Sequence, residues 1–380
     1  WEGGMLQEQF RELQKGGRPF AEFSERVRRE AAELYDVTAS SREAAYHATD
    51  RLSYVGSNGA EHRLFGNGTV SEFAGGLTRH ALGQLVERLD GPPLGWVGDE
   101  RHASGGLRAD VVNALIRHRD PVDLLVRHRG DAIRAVLSDE YSPFSHVDLV
   151  DLVGGALSAL GDLGGDAMVW RPETGDELRA YLVLPRVVFG PDPGRSGPWS
   201  DTGGASGPGG GLSPAIYLSN SEIGTGKVRI SGGLFRLVCS NGAIRWEADQ
   251  GGLELVHRGL SARTLGSAVA DALVGALRMS EDMAAKFISS QSILLRPGKV
   301  EALARAWGDK YGLALPSIDA WRELVGWEAG QNGRPADAPA LFDLVNAATY
   351  AAQKFGPEER EQAERMAGAL LYAELPQFVG

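Results

Sequence analysis

Between Leu178 and Ser290 the spacing of apolar residues changes period once, and that single change limits the folds open to the chain. Leu178–Phe189 is rich in Leu, Val and Tyr. Ala215–Ser219, Lys227–Ser231, Leu234–Cys239, Ala243–Trp246 and Leu253–Val256 follow as short strand-like runs. Asn241-Gly242, between two apolar runs, predicts a hairpin turn. Ser261–Ser290 then reads as one long helix, with Leu265, Val269, Leu273, Ala276, Leu277, Met283 and Phe287 along its buried side. Strands grouped together and closed by a helix predict an α+β fold, an antiparallel strand meander packed against a long helix, rather than alternating β-α-β units.

The flanks read as helical. Residues 1–130 are expected to form a mainly helical N-terminal region: Phe10, Leu13, Phe20, Phe23, Val27 and Ala31 recur at helical spacing, with a break at Pro19. Ser40–Leu52, Ser71–Leu89 and Asp110–His118 are further helix candidates, and the turn signals of Tyr54–Gly68 suggest a hairpin or loop. An α+β core is expected over 131–297. It opens with the short elements Ala132–Leu137 and Tyr141–Phe144, and with a helix at Ser145–Leu160. Gly190–Ser213 interrupts this core with nine glycines and four prolines, a stretch too poor in apolar side chains to pack. Residues 298–380 predict a helical C-terminal region whose last two helices are divided at Gly356-Pro357.

Composition removes several classes of function. The chain has 380 residues and a formal net charge of -11, so it is not a globally basic, histone-like binder, although a local basic strip on an acidic body is compatible with that total. Its one cysteine, Cys239, excludes an intrachain disulfide framework and a cysteine-built zinc site. The most apolar long run, Val147–Leu163, is broken by aspartates and glycines, so no membrane partner is expected. The first residues lack the basic and apolar regions of a signal peptide, and a cytoplasmic location is the expectation.

Catalytic motifs are missing. Gly224-Thr225-Gly226-Lys227 lacks the spacing of a phosphate loop, and Val228 stands where a Ser or Thr would hold magnesium, so a turn leading into a strand is the simpler reading. There is no Gly-x-Ser-x-Gly and no His-Glu-x-x-His, and the eight histidines are scattered. Cys239 on an apolar strand reads as a small buried hydrophobe. Catalytic residues, a metal and a cofactor are therefore not expected. If the chain were a metal-dependent nuclease, Asp139, Glu140, Asp148, Asp151 and Glu222 would be the first ligand candidates.

Two basic features remain. The first is a run of Arg101, Arg108, Arg117, Arg119, Arg127, Arg129 and Arg134 interleaved with His102, His118 and His128, in which the repeated Arg-His-Arg at 117–119 and 127–129 places paired guanidiniums where they could clamp phosphate. Its competing explanation is a solvated rim with local salt bridges. The second is the strand pair after Lys227. Period-2 geometry puts Lys227, Arg229 and Ser231 on one face and Val228 and Ile230 on the other. Gly232-Gly233 reads as a turn or bulge, which leaves the face of Arg236 open; Arg245 and Trp246 follow. Such a face could track a sugar-phosphate chain and stack a base, or could be the wet side of an ordinary amphipathic sheet.

Tyr217-Leu-Ser-Asn-Ser-Glu-Ile-Gly-Thr-Gly-Lys-Val-Arg-Ile230 and Leu234-Phe-Arg-Leu-Val-Cys-Ser-Asn-Gly242 resemble the signature of a phage- and plasmid-associated family, domain of unknown function 932. Arg134–Tyr141, the long helix after Arg263 and Ala340–Thr349 extend the resemblance over roughly 134–371. It implies a setting of mobile genetic elements and their DNA, and no particular activity. Joined to the basic features, it leads to the expectation of a single-stranded-DNA-binding protein of the annealing or recombination-mediator type, homo-oligomeric and without nucleotide hydrolysis. Lys227, Arg229, Arg236 and Arg245 would contact phosphates and Trp246 would stack on a base. Arg117, Arg119, Arg127 and Arg129 would form an outer strip. The alternative is a structural or assembly protein of a mobile element, acting through protein contacts.

Overall fold

In a computed structural model the described residues are 17–57, 70–184, 212–236, 241–244, 252–260, 262–296, 298–331, 333–352, 354–373, 375 and 378. Helix α1 (Phe20–Ala31) starts directly after Pro19, which cannot continue a helix backwards, and buries Phe23 and Val27. The strands β1 (Leu34–His47), β2 (Arg51–Ser57), β3 (Val70–Leu77), β4 (Asp123–Arg129) and β5 (Ala132–Ser138) close into a barrel in the order β1-β2-β3-β5-β4. Its one parallel pairing joins β3 to β5, Gly76 opposite Ala132. Val37, Leu52, Tyr54, Val126, Ile133 and Val136 share a core with helices α2 (Arg79–Arg88) and α3 (Gly105–His118).

Helices α1, α2 and α3 stand in the N-terminal region as expected, and the barrel strands among them lie where helix or loop was expected. Ser40–Leu52 has the alanines and charges of a weak helix, yet Ala44–His47 pairs with Arg51–Tyr54 and buries Tyr46. Closure leaves the barrel no unpaired edge, and that gain overrides local preference. Ser71–Leu89 divides into β3 and α2 at Thr78, whose hydroxyl caps the helix by accepting Ala81 N–H at 3.1 Å. The boundary drawn at 130 falls between β4 and β5, two paired strands of the barrel.

The second half is α+β, and its meander packs against a long helix as expected. Helix α4 (His146–Ala159) begins with a capping box between Ser145 and Asp148. An antiparallel sheet follows: Arg18–Pro19 lies at its edge, then β6 (Met168–Glu173), β7 (Glu177–Val183), β8 (Leu212–Ser221), β9 (Val228–Arg236) and β10 (Asn241–Ile244), with β11 (Leu253–Leu255) also on β9. One face, including Leu182, Ile216, Leu218, Val228 and Ile230, packs on α1, α4 and the long helix α5 (Ala262–Ser289). Gly232-Gly233 is neither a turn nor a bulge: both residues lie inside β9, in unbroken register with β8. A Cβ on Gly232 would sit 2.5 Å from the Ala276 carbonyl oxygen, so glycine is what lets α5 approach the sheet. Asn241-Gly242 likewise pairs with Arg236 and Phe235 instead of forming the turn.

The opposite face of the sheet meets α9 (Pro357–Leu370), which shares a separate core with the C-terminal helices α6 (Val300–Lys310), α7 (Leu315–Gln331) and α8 (Leu341–Ala352). Glu361 of α9 accepts from Tyr217 at 2.8 Å, and Glu364 accepts from Tyr181. The buried helix α8 holds Asp343 against Arg334 at 2.9 Å. No helix among the described residues is long and apolar enough to cross a membrane. The expected helix before Pro19, the turns of 58–69, most of the Gly-rich insertion and Cys239 lie outside the described residues.

Candidate functional site

The structure distributes the expected phosphate contacts over three environments. Lys227, Arg229 and Ser231 do share one sheet face, with Val228 and Ile230 buried on the other. That face is covered by α9. The Arg229 guanidinium lies 3.1 Å from Glu254 and 3.5 Å from Glu361, while Lys227 pairs with Glu254 at the sheet margin. Arg229 is therefore corrected from a phosphate contact to a structural cation, because two carboxylates already compensate it beneath a helix. Arg236 sits in β9 opposite Leu212 and Asn241; its side chain, and all of Arg245 and Trp246, lie outside the described residues.

The outer strip divides as well. Arg127 is buried: its Nε–H donates to Asp36 at 2.8 Å and an Nη1–H donates to the Glu222 carbonyl at 2.5 Å. It braces the barrel against the sheet and cannot meet a strand. Arg129 is half-exposed, 3.4 Å from Asp176. Arg117 and Arg119 are exposed at the end of α3, and Arg119 donates to the Asp90 carbonyl at 3.0 Å. That bond sets the basic end of α3 beside the C-terminus of α2, which carries Arg88.

The acids considered as metal ligands are also separated. Asp148 belongs to the α4 cap, Asp151 pairs with Arg28 at 2.7 Å, and Glu140 pairs with Arg258 at 3.5 Å. Asp139 lines a different cavity. Among the described residues no group of three or more His, Cys, Asp or Glu is placed to hold a metal ion.

Glu222 is the centre of a buried network at the seam between barrel and sheet. Its carboxylate accepts from Arg134 at 2.7 Å and from the His146 backbone N–H at 2.7 Å. Burial alone would raise this carboxyl, but the charges beside it outweigh burial and hold it at about 2. The His146 ring is the largest of these influences, followed by Arg127, Arg134 and the His146 backbone N–H. His146 is pushed down by burial, and its Nδ1 accepts from Asn220, whose amide nitrogen must donate because it also serves the Phe144 carbonyl.

The network fixes the segment Ser221–Lys227, which links β8 to β9. Ser221 Oγ accepts the Thr225 N–H at 3.1 Å, and Tyr141 donates to the Ser221 carbonyl at 3.0 Å. From the barrel side, Gln84 of α2 donates to the Ile223 carbonyl at 2.7 Å. Gly224 takes φ +81, a conformation suited to glycine. The segment leads into a strand, as expected, and its Thr225 N–H is spent on Ser221, so it does not cradle phosphate as a phosphate loop does.

Beside this segment opens a cleft of about 440 Å³, lined among others by Arg88, Tyr141, Thr225, Lys227, His257 and Arg258. Its volume falls within the roughly 300–1,000 Å³ of small-ligand sites. Arg88 is exposed and makes no ion pair among the described residues. Arg258 and its partner Glu140 are both largely exposed. His257 is 6% exposed and stacks on Tyr141, ring centroids 4.8 Å apart and planes within 10°. Burial pushes its imidazole down to about 4, although the Ser142 backbone beside the ring favours the proton; neither ring nitrogen completes a hydrogen bond. Tyr141, His257 and Arg88 were not legible as a site in the sequence. They lie far apart along the chain, and only Ser221–Lys227, the segment bearing the family resemblance, marked the place.

No family model, curated protein or solved structure matches the chain.

Proposed function

We propose that the chain binds single-stranded nucleic acid, without hydrolysing nucleotide, along the seam between barrel and sheet. The strand follows Arg258 and Lys227 past the cleft to Arg88, then Arg119 and Arg117. This moves the expected surface from the sheet face to its margin, and keeps Lys227, Arg117 and Arg119 from the original set. The observation that carries the reading is the set of exchangeable cations around the cleft, which Glu87 also lines: Arg88 makes no ion pair among the described residues, and Lys227 and Arg258 meet carboxylates that solvent reaches. Exposed pairs of this kind contribute about 0–1 kcal/mol, so phosphate can replace the carboxylate at small cost. The setting is the interior of a cell hosting a mobile element, consistent with the resemblance carried by Tyr217–Gly242. Titrating a labelled single strand at several salt concentrations tests the reading. Binding that weakens steeply with salt is expected, and no binding even at low salt overturns it.

A second reading, an assembly protein of a mobile element, draws on exposed apolar side chains in the C-terminal half: Trp327 at 51%, with Val274, Ile288 and Leu294. Light scattering after size exclusion separates the two. A homo-oligomer indifferent to the strand favours assembly, and one whose size changes with the strand favours the first reading.

A further inference from the structure

The cleft does not stop at α2. A second cavity, of about 330 Å³, adjoins it across Gln84 and Glu87, which line both. One wall of the second cavity is Pro92-Pro93-Leu94. The two proline rings stiffen this wall, and the Pro93 carbonyl ties it down by accepting the Trp96 N–H at 2.9 Å and the Val97 N–H at 3.2 Å. Gly83 of α2 also lines the space, and a Cβ there would stand 2.9 Å from Leu94 Cδ2, so a larger residue would crowd the cavity. His80 is set by its Nε2, which donates to the Ile223 carbonyl at 3.1 Å. The result is a preformed slot with an apolar wall. Charge is arranged around it. Arg88 borders the first cavity, and Arg119 is held by the Asp90 carbonyl, next to Gly91 on the wall of the second. Glu87 is exposed on the shared wall. Its carboxylate repels phosphate and leaves the slot to an uncharged group, whose amino hydrogens it can accept.

We propose that this second cavity receives one unstacked nucleobase of the bound strand, seated against Pro92, Pro93 and Leu94, while Arg88 and Arg119 hold the phosphates that flank it. The inference rests on the single-strand reading and adds to it a subsite for a base. It also gives the protein a preference for single strands, because a base stacked and paired inside a duplex cannot enter the slot.

The test compares a short oligodeoxycytidine strand with an abasic strand of equal length and equal phosphate count. The wild-type protein is expected to prefer the base-bearing strand by about tenfold, the low end of what one seated base contributes. Gly83→Leu fills the slot from a helical position that accepts leucine readily, and there the preference shrinks to near unity while the salt dependence is retained. Should Gly83→Leu not fold, Leu94→Ala removes part of the wall instead, and the preference falls by about threefold or more. Equal affinity of the wild-type protein for the two strands, or an undiminished preference in whichever variant folds, overturns the subsite and leaves the cationic rim standing. Absence of any binding at low salt removes both.

Discussion

Cations meet carboxylates at the seam and at the cleft rim with opposite consequences. At the seam, Arg127 and Arg134 are almost fully buried around Glu222. At the cleft rim, Lys227 and Arg258 face Glu254 and Glu140 in contact with solvent. In the buried set each charge depends on its partner, since neither can turn to water; in the exposed set water takes over at once. The seam therefore positions, and the rim is free to bind. Arg127 and Arg117 belong to the same basic run of sequence, yet fall on opposite sides of this divide.

Breaking the seam should have the largest effect. Glu222→Ala removes the buried carboxylate shared by Arg134 and the His146 N–H, leaving Arg134 only the half-exposed Asp176, and is expected to cost about 3–5 kcal/mol of folding stability, read by denaturant unfolding. Acid should act on the same half of the comparison. His257 and His128 are both depressed by burial to about 4, from an ordinary 6.5. Their folded state favours the neutral ring, so the stability they confer is complete above pH 6.5 and is lost as pH falls toward 4, by up to about 3 kcal/mol for each. Glu222 adds a second loss from about pH 4.5 down toward 2. Unfolding midpoints measured between pH 7 and pH 4 should show the first decline.

Gly232→Val tests the packing behind the site. The added side chain meets the Ala276 carbonyl and Met279, and a cost of about 1–3 kcal/mol is expected from thermal unfolding. The smallest change in stability belongs to the rim. Glu254→Gln releases Lys227 and leaves Arg229 to Glu361; because Glu254 is reached by solvent it should alter stability by only about 1 kcal/mol, yet tighten binding of a single strand. A large loss of stability there would show that the rim pairs behave like the seam.

Much of the second half was legible in the sequence. The strand-like runs from Leu178, the face alternation of Lys227–Ser231 and the change of period to the long helix at Ser261 all follow from side-chain spacing, which local geometry obeys. The barrel was not, because Ser40–Leu52 and Ser71–Leu77 have no strand signal of their own; their pairing comes from closure with β4 and β5, distant in the chain. The site was legible only in part. Composition identifies cations but not their partners: nothing local says that Arg229 lies under α9, or that Arg127 turns inward to Asp36. His257 and Tyr141, 116 positions apart by their numbers, meet only once α4 and the sheet are in place.

The most direct test of the rim as a binding surface is the salt dependence of single-strand affinity in the Arg88→Ala/Lys227→Ala double variant beside the wild type. Each lost phosphate contact should make the log-log slope shallower by about 0.7, so the variant should be shallower by about 1.4 and bind more weakly at low salt. A variant with the slope and affinity of the wild type would contradict the account.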